Sequence, residues 1–391
     1  MKVVATVCEY NPLHNGHIKH LQYIKDNFTP DCIVVFMSGN FVQRGEGAIC
    51  DKYTRAKWAI SAGADIVIEL PTVFAVANAE RFGTGAIKLM HALNTPLDFC
   101  FGSETADKDA FITNAKLFLN ESKELKTKLK ENLAQGYSFA KARYEALKSI
   151  APNGFNSVLF ENPNNILGIE YTKAVLKYNA KIDICPMARP GDHTDNTLYK
   201  KTTSASSIRQ ALGNVKKGKL KSVMPKFVYD QLPERMPNFE LGIMTTILNT
   251  PSEVMKLTPD CTEGLENRIK LLTAENGDYQ TALKKITTKR YTESRIRRIC
   301  ICNMLGITER LVSDCLEDNL YFKVLATNSN GLNFIGKVKD KAKYPFLTRK
   351  SDYSALTKTA LKSFEIDTIA CNIYSLFTGE KQNEYHTIIT Q

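Results

Sequence analysis

Four short apolar runs, at residues 3–8, 32–37, 66–70 and 97–101, alternate with amphipathic stretches near residues 17–26, 52–62 and 79–93. This alternation restricts the first hundred residues to βαβ units built on a parallel sheet. Right-handed crossovers bring the carboxyl ends of such strands to one edge. The loops after the strands, residues 9–16, 38–49, 71–78 and 102–105, are therefore expected to line one cleft, where open α/β sheets bind ligands.

The first of those loops carries His14-Asn15-Gly16-His17. Ile18, Leu21 and Ile24 then recur at helical spacing, so the reading is strand, loop, helix. A helix N-terminus presents unpaired N–H groups and a partial positive charge, which suits a phosphate. Gly16 would let the backbone approach the ligand, and His14 and His17 would add side-chain donors. His-x-Gly-His is the signature of nucleotidyltransferases, which attack the α-phosphate of a nucleoside triphosphate. Two histidines three apart on a helix can also be plain surface residues. The position in the first strand-to-helix turn favours the phosphate. A zinc site at His14, His17 and His20 lacks a completing cysteine or carboxylate at metal spacing, and no metal ligand is assigned.

The second anion signal is Ser204-Ala205-Ser206-Ser207-Ile208-Arg209, with hydroxyls and an arginine at a helix start. Its bland alternative is helix capping. The third is Ser38-Gly39-Asn40-Phe41-Val42-Gln43-Arg44-Gly45-Glu46, a glycine-bounded loop after a buried strand, where Gly39, Gln43 and Arg44 are candidates to hold a carboxylate or phosphate. Gly102 would let a base or ribose lie against the backbone. The amides of Asn164 and Asn165 would read an adenine edge or ribose, and Arg189 follows the fifth strand. Each of these has a turn or cap reading as well.

Residues 106–150 read as a helical, lysine- and glutamate-rich insert. The catalytic α/β domain is closed near residue 223, giving a Rossmann-like unit at 1–223 and a mainly helical basic domain at 224–391. The 391 residues carry a net charge of +11. That excess favours a polyanion, nucleic acid before membrane. No apolar run approaches the ~20 residues of a membrane span, the apolar start is too short for a signal peptide, and ten scattered cysteines read as reduced cytosolic thiols, so a cytoplasmic protein is expected.

In order along the chain, Glu9-Tyr10-Asn11-Pro12-Leu13-His14-Asn15-Gly16-His17, Ser38 to Gly45, Gly102-Ser103-Glu104, Asn164-Asn165-Ile166-Leu167-Gly168-Ile169-Glu170-Tyr171 and Ser204 to Arg209 resemble the bacterial tRNA(Met) cytidine acetate ligases. Cys261-Thr262-Glu263-Gly264-Leu265-Glu266-Asn267-Arg268 and Thr288-Lys289-Arg290-Tyr291 extend the likeness, which is weakest after about residue 310. The segment from Arg189 to Asp195 departs from the Gly-rich, Tyr-His-Asp form of that family, and no role is read for His193 or Asp195. The resemblance implies that ATP is a substrate, with Mg²⁺, and that acetate becomes acetyl-adenylate before transfer to the wobble cytidine of elongator tRNA(Met). It implies ATP contacts along Val7, Cys8, Glu9, Tyr10, Asn11, Pro12, Gly16 and His20. His14 and His17 would act on the α-phosphate, and Ser204, Ser206 and Arg209 on the leaving pyrophosphate.

RNA contact is expected at Lys289, Arg290, Tyr291, Arg295 and Arg298. Tyr291, Arg295 and Arg298 would share a helix face at i, i+4, i+7, where an aromatic among cations suits backbone contact plus stacking. Lys216, Lys217, Lys219 and Lys221 could extend the track. Two other functions fit parts of the pattern. A small-molecule adenylyltransferase shares the histidine motif, and a non-catalytic nucleotide-binding factor for RNA or ribosome assembly shares the charge. The first leaves the basic C-terminal region unexplained, and the second leaves both histidines and Arg209 unexplained.

Overall fold

The computed structural model describes residues 1–150, 153–188, 204–212, 214 and 217–390. Arg189, His193, Asp195 and Lys216 lie outside them.

Ten strands are described: β1 (Val3–Cys8), β2 (Cys32–Ser38), β3 (Phe41–Val42), β4 (Glu46–Gly47), β5 (Ile66–Leu70), β6 (Leu97–Ser103), β7 (Ile182–Ala188), β8 (Phe322–Thr327), β9 (Phe346–Leu347) and β10 (Ile388–Ile389). Eight of them form one sheet in the order β10-β8-β5-β2-β1-β6-β7, with β9 beside β8. β5, β2, β1, β6 and β7 run parallel, so the carboxyl ends of the first four βα units do reach one edge.

The apolar runs are nearly continuous because both faces of the sheet are covered. Cys32, Val34 and Phe36 of β2 enter one core, and Ile33, Val35 and Met37 enter the other, as the two-residue period of a strand requires. The helix Asn15–Phe28 contributes Leu21 and Ile24 to the second core. The helices Ala79–Ala92 and Pro163–Lys177 pack together on the opposite face. Between β6 and β7 lies the expected helical insert, Lys108–Leu119, Lys123–Ala134 and Phe139–Ile150.

A boundary at residue 223 meets a sheet that draws strands from both sides of it. β8 pairs antiparallel with β5, and β10 pairs parallel with β8. The region after 223 is mainly helical, but its final seventy residues complete the N-terminal sheet. The sheet edge at β5 would otherwise leave backbone groups unpaired, and β8 covers it.

Candidate active site

β1 ends at Cys8, and the chain turns through Tyr10, at φ 45°, and a cis Asn11–Pro12 bond into the helix Asn15–Phe28. His14 is the N-cap. Its Nδ1 accepts the Gly16 N–H at 3.0 Å, and the His17 Nδ1 accepts the His14 N–H at 3.2 Å. The two rings stack at 3.8 Å, and Tyr10 meets His17 edge-on at 5.0 Å. Because each Nδ1 is an acceptor, each neutral ring carries its proton on Nε2. The pair therefore offers two Nε2–H donors held by backbone bonds, at the positive end of a helix.

At Gly16 a Cβ would lie 2.8 Å from Cε1 of His14, so the glycine also makes room for the stacked ring. The His20 Nε2 lies 3.2 Å from the Cys100 thiol, on the strand β6. Val7 and Cys8 close β1 opposite Phe36 and Met37. Burial pushes the Cys8 thiol far above its ordinary range, which disfavours the thiolate.

Arg209 reaches this loop across 198 residues. Its Nη1 donates to the Asn11 carbonyl at 2.7 Å, and its Nη2 lies 2.8 Å from Glu46 Oε1. It belongs to the helix Ala205–Ala211, whose cap is Ser204: the Ser204 Oγ accepts the Ser207 N–H at 3.1 Å. Capping is thus realised at Ser204, while the same helix delivers Arg209 to the histidine loop. Ser206 sits beside Arg209 on the wall of a neighbouring cleft. The start of the histidine helix is tied to the following segment, with the Asn15 N–H donating to the Val223 carbonyl at 3.0 Å.

The loop after β2 folds onto the same edge. Glu9 Oε1 accepts the Gln43 N–H at 2.9 Å. Burial raises the Glu9 carboxyl above its ordinary pKa, and the Gln43 bond and Arg209 oppose the rise. Gly39 is required because a Cβ would overlap the Glu69 carboxylate at 2.3 Å. Arg44 is exposed and has no hydrogen-bond or ion-pair partner among the described residues.

Sequence reasoning passed over two residues that hold this loop, Lys52 and Arg55, both fully buried on the helix Lys52–Ser61. Arg55 donates to the carbonyls of Glu9 (2.6 Å), Ser38 (3.1 Å), Cys50 (2.9 Å) and Gly39. It therefore joins the ends of β1 and β2 with one guanidinium. Lys52 Nζ meets Glu69 at 2.7 Å and Glu384 at 2.7 Å. Burial would lower its pKa, but Glu384 and Glu69 hold it well above the ordinary range. The signal available in the sequence was weak: two cations three apart on a helix ordinarily mark a solvated face.

The asparagines after residue 162 are used within the protein. Asn164 Nδ2 donates to Glu104 Oε1 at 2.7 Å, and the Asn165 N–H donates to Glu104 Oε2 at 3.0 Å. Asn165 Oδ1 accepts the Glu104 N–H at 2.9 Å, and Asn165 is fully buried. Asn164 and Asn165, expected to read an adenine edge or ribose, clasp Glu104 and fix the turn after Gly102.

The basic helix forms as Glu293–Leu305, and Tyr291 precedes it, so it does not share a helix face with Arg295 and Arg298. The residues expected to contact RNA also bond the loop before residue 264. Arg295 donates to the Asp260 carbonyl at 2.8 Å and to Thr262 at 2.9 Å, Arg298 lies 4.0 Å from the Asp260 carboxylate, and Arg290 and Tyr291 both bond Glu263. Arg298 is 14% exposed. Lys289 stays on the outer surface. The helix also meets the loop after β2, because a Cβ on Gly45 (φ +72°) would overlap the Arg298 backbone nitrogen at 2.4 Å. Lys221, of the second basic patch, lies 5.3 Å from the ring of Tyr229.

Among the described residues, one group of three metal-ligating side chains lies together, Asp98, Asp183 and Cys185. It sits near the amino ends of β6 and β7, away from the cleft edge, and Lys108 pairs with Asp183. The ten cysteines form no disulfide, and no described helix is long and apolar enough to cross a membrane.

A parallel sheet with a helix-capping His-x-Gly-His pair and a distant arginine at its carboxyl edge defines a nucleotidyltransferase. The family model "HIGH Nucleotidyl Transferase" matches residues 1–387. The tRNA(Met) cytidine acetate ligase of Thermoanaerobacter pseudethanolicus is 36% identical over 386 residues, 96% of this chain and 95% of that protein. The protein of the same name from Caldanaerobacter subterraneus subsp. tengcongensis is 35% identical over 403 residues, covering both in full. The crystal structure of Thermotoga maritima TmcAL (apo, form I) matches with a TM-score of 0.93 at 29% identity over 100% of both chains. Its form bound with alpha-thio ATP matches at 0.90 and 28%, again over both chains in full. The chain belongs to the HIGH nucleotidyltransferase family and, within it, to the tRNA(Met) cytidine acetate ligases.

Proposed function

We propose that this protein couples ATP and acetate into acetyl-adenylate and passes the acetyl group to the exocyclic amine of the wobble cytidine in elongator tRNA(Met). The observation that carries the reading is the stacked His14–His17 pair at a helix N-terminus, with Arg209 bonded to the same loop. In the first step an acetate oxygen attacks the α-phosphorus and the bond to pyrophosphate breaks. Two anions must be held in line, so positioning and charge stabilisation carry the rate. His14 and His17 donate through Nε2–H to the α-phosphate oxygens, and Arg209 turns from Glu46 to the departing pyrophosphate, with Ser204 and Ser206 beside it. Gly39 and Gln43 stand on the acetate side, with Arg44 beyond them toward the neighbouring cleft.

In the second step the cytidine nitrogen forms the C–N bond to the acetyl carbon as the C–O bond to phosphate breaks. AMP leaves, and the nitrogen releases one proton to water. No covalent enzyme intermediate is needed. Mg²⁺ supplies charge neutralisation on the triphosphate and would be held chiefly by phosphate oxygens and water. The protein's cleft carboxylates, Glu9 and Glu46, are engaged by Gln43 and Arg209.

The test is mass spectrometry of nucleosides from elongator tRNA(Met) incubated with the protein, ATP, Mg²⁺ and isotope-labelled acetate. Labelled acetylcytidine is expected, absent without ATP. Unmodified tRNA with an intact protein would overturn the reading.

A further inference from the structure

A cleft of about 640 Å³ opens beside Arg209 and Ser206. One wall is the loop of residues 44–47. The other is made by the starts of two helices, Tyr279–Ile286 and Glu293–Leu305, through Tyr279, Gln280, Ser294 and Arg297. Its size falls within the ~300–1,000 Å³ of small-ligand clefts. Among the described residues its lining is sign-balanced, with Arg44, Arg209 and Arg297 beside Glu46, Glu240 and Glu293. A strip that only tracks a nucleic-acid backbone would carry excess cations. A mixed lining of carboxylates, amide and guanidinium suits the edges of an unstacked base, which is where sequence-specific RNA readers make their contacts.

Two groups in the cleft are not consumed by the fold. Arg44 is exposed with no partner among the described residues. The hydroxyl of Tyr279, a residue 3% exposed, has the Cys300 thiol beside it and makes no conventional hydrogen bond. The remaining charges are paired in ways a ligand can replace: Glu293 holds Arg297 at 2.8 Å, and Glu46 holds Arg209 at 2.8 Å. The alternative basic face at Arg290, Arg295 and Arg298 is tied to residues 260–263.

Resting on the proposed ligase reaction, we infer that this cleft receives the acceptor nucleotide of the RNA, single-stranded and unstacked. Its base lies between residues 44–47 and the Tyr279–Arg297 wall, and a flanking phosphate contacts Arg44 and Arg297. Arg209 stands at the junction, so the adenylate formed on the histidine side and the incoming amine share one boundary residue.

Arg297→Glu reverses a cleft charge, and Ser294→Trp plugs the same wall without touching charge. Lys284→Glu makes the same charge change on an exposed residue outside the cleft. Each full-length variant is assayed for tRNA affinity, for acetyl transfer and for acetate-dependent exchange of pyrophosphate into ATP, alongside a melting curve. Arg297→Glu and Ser294→Trp should each lose at least tenfold in transfer and in tRNA affinity, with exchange within twofold of wild type and Lys284→Glu unaffected. Transfer and tRNA affinity within twofold for both well-folded cleft variants would overturn the assignment. Loss of exchange in both would overturn it too, by making the cleft part of the adenylating site. Failure of wild-type exchange to respond to acetate would instead overturn the ligase reading itself.

Discussion

The proposed chemistry rests on how few degrees of freedom His14 and His17 retain. Each Nδ1 is fixed by a backbone N–H, and the rings support each other by stacking. Donors fixed before the reaction cost no reorganisation when charge develops on the phosphate. His17→Ala should therefore lower pyrophosphate exchange by ~10²–10³ while the melting temperature stays close to wild type, because His17 is partly exposed and its ring is absent from both cores. Exchange within a few-fold of wild type would remove His17 from the mechanism. The histidine motif was readable from the sequence because its residues are contiguous and chemically unusual. The room that Gly16 makes for the His14 ring was not, because it depends on how the motif folds.

At the scale of elements, the loop of residues 38–47 is held from below by the C-terminal tail. Asn40 Nδ2 donates to Gln382 Oε1 at 2.8 Å, its Oδ1 accepts the Lys52 N–H at 2.9 Å, and Tyr53 donates to the Asn383 carbonyl at 2.7 Å. Glu384, 5% exposed, completes the Lys52 pair, and Tyr374 donates to the Ala48 carbonyl at 2.9 Å. Removing Glu384 takes one of two carboxylate partners from buried Lys52 and leaves it Glu69, a loss on the order of 1.5–3 kcal/mol. Glu384→Ala should lower stability by that order in denaturant titration and should also raise the acetate KM, because the loop above loses its support. An unchanged unfolding midpoint would show that the tail contributes nothing to the loop. None of this was legible beforehand. Glu384 sits in a polar tail, and its partner Lys52 is 332 residues away.

For the whole molecule, the parallel core and its cleft edge could be read because apolar runs and helical periods are local signals. β8 escaped because Lys323 interrupts its apolar pattern, although Lys323 is fully buried and donates to the His386 carbonyl at 3.1 Å. β10 is two residues long and pairs with a strand sixty residues earlier. The contacts of the helix Glu293–Leu305 with residues 260–262 and with the loop at Gly45 were not legible, because they join segments distant in sequence. The clasp between Asn164, Asn165 and Glu104 was likewise a matter of tertiary pairing that no local pattern encodes.

The central claim is that one cleft edge, built by His14, His17 and Arg209, activates acetate on ATP. Exchange of labelled pyrophosphate into ATP, measured with purified protein and Mg²⁺ across an acetate titration, tests it most directly. Label should enter ATP only when acetate is present and should saturate with it. Exchange that is absent at every acetate concentration, or equal with and without acetate, would contradict the claim.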